Sequence, residues 1–125
     1  MLNYIITREQ DFINVVKANG LLYAATVKLI TGENIIVIMP ELDEAPEYVY
    51  SFIINHEEGH LLYGEDEYIA DKHAVAITGN RCAINALWWL FKDMRGKANI
   101  IARWEIINRI INIKNGRKLL NIKRV

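Results

Sequence analysis

His56-Glu57-Glu58-Gly59-His60, followed closely by Glu67-Tyr68-Ile69-Ala70-Asp71, is the stretch that decides how this chain is read. The pentapeptide fits H-E-x-x-H. On a helix, positions four apart share a face, so His56 and His60 can bind one ion. Glu57 sits about 100° around that helix, at the rim of such a site, where it can take a proton from a polarised water. Zinc accepts histidine nitrogen and carboxylate oxygen, and a catalytic zinc keeps three protein ligands and one open position. Two histidines therefore call for a third ligand.

Glu67 is the candidate. Gly64 reads as the stop of the histidine helix. A second helix then starts near Glu65 or Asp66, whose acidic side chains suit an N-terminus. Glu67 and Asp71 are four apart and share a face of it. Glu67 is expected as the third metal ligand. Asp71 is expected to accept a hydrogen bond from the free ring N–H of a ligating histidine, His56 by preference. Carboxylates in that place fix the tautomer and raise ligand basicity. Ala70 and Ala74 let the two helices approach closely. Glu58 is expected to turn away from the site into solvent. Peptide hydrolysis also wants a second donor to the oxyanion. Tyr63, Tyr68 and His73 are the candidates by proximity. The bland alternative for the bare pentapeptide is two surface histidines on an acidic helix. The second pair of carboxylates, at helical spacing, weighs against it.

The two pieces together, H-E-x-x-H at 56–60 and E-x-x-A-D at 67–71, resemble the pattern of the gluzincin metallopeptidases. The likeness is greatest to HtpX-like and CaaX-prenyl-protease-like peptidases, and in size the chain is similar to the minigluzincins. It covers roughly residues 20 to 95. The resemblance implies a zinc-dependent endopeptidase in which His56, His60 and Glu67 hold Zn²⁺ and Glu57 is the base. It implies an α+β fold: a mostly helical zincin-like domain with a small β-sheet or hairpin packed on the active-site helix. It also implies a strand that lines the cleft and pairs with the extended backbone of a peptide or protein substrate. Ile35 to Met39 takes that part by position. Small stand-alone gluzincins are held latent by a segment across the cleft. The tail Arg117 to Val125, which alternates basic residues with Leu119, Leu120 and Ile122, is the candidate here, though it could equally pair as an extra strand. One departure stands out. The gap from His60 to Glu67 is short, so Tyr63-Gly64-Glu65-Asp66 must reverse the chain. A short gap is similar to that of ImmA/IrrE-type peptidases, but those carry Asn where Asp71 stands. Two alternatives follow: a regulatory protease specific for one repressor or DNA-associated protein, and a non-catalytic zinc-binding module.

The chain has 125 residues and no net charge, and 52% of it is apolar. That suits a single domain spanning 1–125. No run is apolar enough to span a membrane. The start, Met1-Leu2-Asn3-Tyr4, lacks a basic lead, and Thr7 to Asp11 interrupts any apolar run, so no signal peptide is expected. Cys82 is the single cysteine and is expected reduced and buried on a helix. A cytoplasmic location is the corresponding expectation. Charge is unevenly spread. Glu41 to Asp71 contains no Lys or Arg, while from Lys92 onward only Asp93 and Glu105 are acidic. The basic third could serve a nucleic acid, it could dock on the acidic active-site side of its own chain, or the two stretches are simply solvated faces of opposite sign, the reading with most weight.

The remaining elements follow from periodicity and punctuation. Thr7-Arg8-Glu9-Gln10 fits a capping box for a helix ending at Asn19-Gly20. Leu21 to Ile30 and Ile35 to Met39 read as strands around a turn at Thr31 to Asn34. The second is too apolar to face water on both sides. Pro46 opens the histidine helix, which runs to about Leu62. The Glu67 helix ends at Gly79. Arg81 to Arg95 and Asn99 to Lys114 are further helices. Trp88-Trp89 reads as core. The stripe Ile100, Ile101, Trp104, Ile107 and Ile111 is either a homodimer seam or a face that caps the core.

Overall fold

The structure is a computed structural model and describes residues 2–116. Its centre is the run that is apolar on every side chain. Strand β3 (Asn34–Ile38) lies between β1 (Ile5–Thr7), to which it runs parallel, and β2 (Ala24–Lys28), to which it runs antiparallel. Successive residues of a strand point to opposite faces. Ile35, Val37 and Met39 accordingly pack with Ile13 and Val16 of helix α1 (Gln10–Ala18). Ile36 and Ile38 join the larger core on the other face. A strand covered on both faces needs an unbroken apolar run, and this one has it.

That larger core is helical. It is built from α2 (Glu47–Tyr63), α3 (Glu67–Thr78), α4 (Asn80–Asp93) and α5 (Ile100–Asn115). Val49, Phe52 and Ile53 of α2 meet Leu87 and Leu90 of α4 and Ile106 and Ile110 of α5. The fold class is α+β, mostly helical with one small sheet, as expected. No helix among the described residues is long and apolar enough to cross a membrane.

Local chemistry sets the helix ends that matter. Gly64 closes α2 with φ +102°, a conformation open to glycine. Asp66 caps α3, its Oδ1 accepting the N–H groups of Tyr68 at 2.8 Å and Ile69 at 3.1 Å. The reversal between the two helices thus fits the short link. The helices then pack closely. A β-carbon on Gly59 would lie 2.8 Å from the Ala70 Cα, so only glycine fits there. Ala70 and Ala74 are fully buried on the facing side.

Several expectations are corrected. Ile35 to Met39 cannot pair with a substrate, because β3 is the central strand and both its edges are taken. The exposed N-terminal strand β1 was not expected; three residues give too little alternation to read. Thr7 lies in β1 rather than capping α1. Its hydroxyl accepts the Glu9 N–H at 3.1 Å, and Glu9 is the N-cap, with no side-chain cap. Strand β2 begins only at Ala24, after Tyr23 has turned the chain with φ +72°. Cys82 is on a helix but only half-buried. Trp88 and Trp89 both pack partly buried on the core. In the α5 stripe, Ile101 is 75% and Trp104 59% exposed, with Ile100 and Ile111 also exposed. The core-capping role therefore falls to Ile106 and Ile110, with Ile107 at the margin. The tail Arg117 to Val125 lies outside the described residues.

Candidate metal centre

His56 and His60 project from one face of α2, one turn apart, as their spacing requires. Their Nε2 atoms lie 3.0 Å apart, and the rings stand at 89° to one another. The other ring nitrogens are engaged outward. His56 Nδ1–H donates to Asp71 Oδ1 at 2.7 Å, and His60 Nδ1–H donates to the Gly64 carbonyl at 2.8 Å. Each Nδ1 is thereby committed outward, which leaves Nε2 as the atom turned inward, able to bind a metal once its proton has left. Asp71 is where the sequence placed it. The Gly64 carbonyl was not foreseen, since a backbone acceptor leaves no mark in residue type.

Glu67, the first residue of α3, completes the cluster. Its Oε1 lies 2.9 Å from His60 Nε2 and its Oε2 lies 3.2 Å from His56 Nε2. Tetrahedral zinc with ligands at about 2.0–2.1 Å separates its donor atoms by about 3.3–3.4 Å. The observed spacings are a few tenths of an ångström tighter, so a small outward relaxation admits the ion. Two imidazoles and a carboxylate are also a donor set that zinc takes. These residues fit a zinc ion.

Glu57 is the neighbouring acid. Donor atoms of His56, Glu57 and His60 fall within 4.8 Å of one another, so the three could also hold a metal. Glu67 is a further donor at the same place, its carboxylate touching both Nε2 atoms. Glu57 is 6% exposed, and burial raises its pKa. That is the direction a general base near neutral pH needs.

The charges are tightly coupled. The hydrogen bond to Glu67 pushes the His60 pKa up to about 9, against the effect of burial. Burial lowers the His56 pKa, but bonds to Asp71 and Glu67 outweigh it and the net shift is upward. Burial likewise raises Glu67, yet its bonds to His56 and His60 hold it well below the usual carboxylate range. Asp71, 1% exposed, also ends below its ordinary value, because bonds to Arg109 and then His56 overcome burial.

Arg109 is the residue that sequence reasoning missed. It reaches in from α5 and forks onto Asp71, with Nε 2.7 Å from Oδ2 and Nη2 2.7 Å from Oδ1. Its Nη1 lies 3.4 Å from Glu67 Oε2. The available signal was the acidic stretch facing a basic last third, which gave the docking but not the residue.

The three candidates for oxyanion donor do not line the cleft. Tyr63 and His73 turn toward each other, ring centroids 5.7 Å apart. His73 Nε2 is bonded to Glu58 at 2.9 Å, and the Tyr68 hydroxyl donates to Glu105 at 3.2 Å. Glu58 does turn away from the site, but not into solvent. It is half-buried, and Tyr4 donates to it at 2.7 Å. That bond holds its carboxyl below its ordinary value and pushes Tyr4 up to about 12.

A cleft of about 920 Å³ opens over the cluster. Its lining includes the segment from Tyr23 to Thr26, the cluster His56, Glu57, His60 and Glu67, and the apolar Ile53, Leu90, Met94 and Ile106. Comparison of the chain with family models, with curated proteins and with solved structures returns no match.

Proposed function

We propose that this chain is a zinc-dependent endopeptidase, the activity that its resemblance to the gluzincins implies. The observation that carries the reading is the convergence of two Nε2 atoms and the Glu67 carboxylate, 2.9–3.2 Å apart, beside the buried Glu57, whose carboxyl has no hydrogen-bond partner among the described residues. Zinc bound there would supply Lewis acidity toward a scissile carbonyl and a water acidified to about pKa 7. Glu57 accepts that proton and returns it to the leaving amine. Asp71 and the Gly64 carbonyl hold the two imidazoles in the ligating tautomer. The outer edge of β2, unpaired among the described residues, borders the cleft, so it takes the substrate role assigned by sequence to Ile35 to Met39. Main-chain pairing along such an edge accepts many sequences, while the apolar part of the lining selects an apolar side chain.

The short link from His60 to Glu67 keeps the second reading alive, a regulatory protease with one dedicated protein substrate. Against it stands Asp71, which is bonded to His56 where the ImmA/IrrE pattern has Asn. The experiment is a digest of casein and of a mixed peptide library by zinc-loaded protein, read by mass spectrometry, with Glu57→Gln as control. Cleavage by wild type, reduced about 100-fold or more in Glu57→Gln at equal metal content, is expected. Full metal loading with every generic substrate intact turns the reading to a dedicated protease or a binding module. Repeating the digest after deletion of residues 117–125 tests latency. A gain in activity supports it, and an unchanged rate removes it.

A further inference from the structure

The geometry points to Arg109 as a positioning residue of the metal centre, fixing Asp71 against His56 and bracing Glu67 from a third helix. This rests on the reading of His56, His60 and Glu67 as metal ligands. The fork that Arg109 makes with Asp71 uses both carboxylate oxygens, at 2.7 Å each. A bidentate pair of this kind fixes the plane of the carboxylate as well as its place. Asp71 Oδ1 is also the oxygen that accepts the His56 Nδ1–H at 2.7 Å. The orientation of the His56 ring is therefore inherited from the guanidinium plane.

The remaining arm of the guanidinium does a second task. Nη1 is 3.4 Å from Glu67 Oε2, the oxygen that faces His56 Nε2 at 3.2 Å. Glu67 is the loosest of the three ligands. Its side chain is 43% exposed, against 9% and 13% for the two histidines. It sits in the first turn of α3 with solvent on its open side, and the Arg109 charge draws it inward. Arg109 itself is 8% exposed, so water is poorly placed to replace it. A lysine would offer one compact charge and could not span Asp71 and Glu67 together.

The rival account is a plain buried ion pair that fastens α5 to α3 and has no effect on the metal. Cobalt separates the two, because its visible bands report ligand number and geometry. Wild type, Arg109→Lys and Arg109→Gln are compared by circular dichroism, by cobalt and zinc affinity against a chromophoric chelator, and by the cobalt spectrum. The expected result is folded variants with metal affinity lowered about 10- to 100-fold and a changed cobalt band. Folded variants with wild-type affinity and an unchanged band overturn the proposal. So does failure of both variants to fold, which would make Arg109 a determinant of the fold. A wild type that binds no cobalt overturns the metal centre itself, and this inference with it. Binding by wild type with no difference in the variants overturns this inference alone.

Discussion

Glu57 and Glu67 are acids beside the same two histidines, and their surroundings separate their roles. Glu67 touches both imidazoles and is driven to the carboxylate form; Glu57 is buried, and burial raises its pKa against the pull of the nearby histidines. The coupling has a pH signature in metal-free protein. His60 titrates near 9 in the fold, above its ordinary 6.5, because Glu67 accepts from it. A raised histidine pKa adds stability that is complete below about pH 6.5 and lost as pH rises through about 9. Chelator-treated protein should therefore melt several degrees lower at pH 9.5 than at pH 6.5, and His60→Gln should flatten that slope. Thermal melts across this range check it; an equal slope in both proteins would contradict the coupling. Zinc affinity should move the other way, rising with pH up to about 9 as the competing proton leaves. Residues tied to the histidines by helical spacing were legible, and the bond from His56 to Asp71 follows from it. Arg109 lies 38 residues from Asp71, and no local period links them. Tyr63, Tyr68 and His73 were chosen for nearness in sequence, which on a helix does not mean the same face.

Helices α2 and α3 carry the site only because they touch along Gly59 and Ala70. Gly59→Ala places a β-carbon 2.8 Å from the Ala70 Cα and 3.0 Å from its carbonyl oxygen, both backbone atoms. The helices must part, at about 1–3 kcal/mol for such overpacking. About 0.8–1.0 kcal/mol of helix propensity offsets part of that. The expected outcome is a modest fall in melting temperature with a larger fall in zinc affinity, since α3 carries Glu67. Calorimetry and chelator competition measure the two; unchanged affinity would show that the close approach does not set the site. Asp66→Ala removes the cap one residue before Glu67 and should cost about 1 kcal/mol in chemical denaturation, again with weaker zinc binding. The helices were legible because their stripes and stops are local. The role of β3 was not, because pairing partners lie far apart in sequence. Its unbroken apolar run excluded exposure on both faces but did not say which strands flank it. The outer strands are β1 and β2, and that β2 is the one beside the cleft needs the three-dimensional order of the strands.

Charge and topology together explain why the last described helix belongs to the site. In sequence the acidic stretch from Glu41 to Asp71 is set against a last third rich in cations, and α5 brings one of these, Arg109, onto Asp71 and Glu67. A metal held by α2 and α3, as proposed, would link three helices. Its removal should loosen all of them. Zinc at about 100 times its Kd adds about 2.7 kcal/mol to folding. For a chain of this size that corresponds to a rise of roughly 8–16 °C over chelator-treated protein. Hydrogen exchange in α3 and α5 should quicken together when zinc is removed; exchange confined to α3 would separate α5 from the centre. The most direct measurement is zinc content per chain by elemental analysis after reconstitution and desalting, for wild type and Glu67→Ala. The account predicts about one zinc per wild-type chain and strong depletion in Glu67→Ala. A wild type without zinc, or a Glu67→Ala chain that holds it equally well, would contradict it.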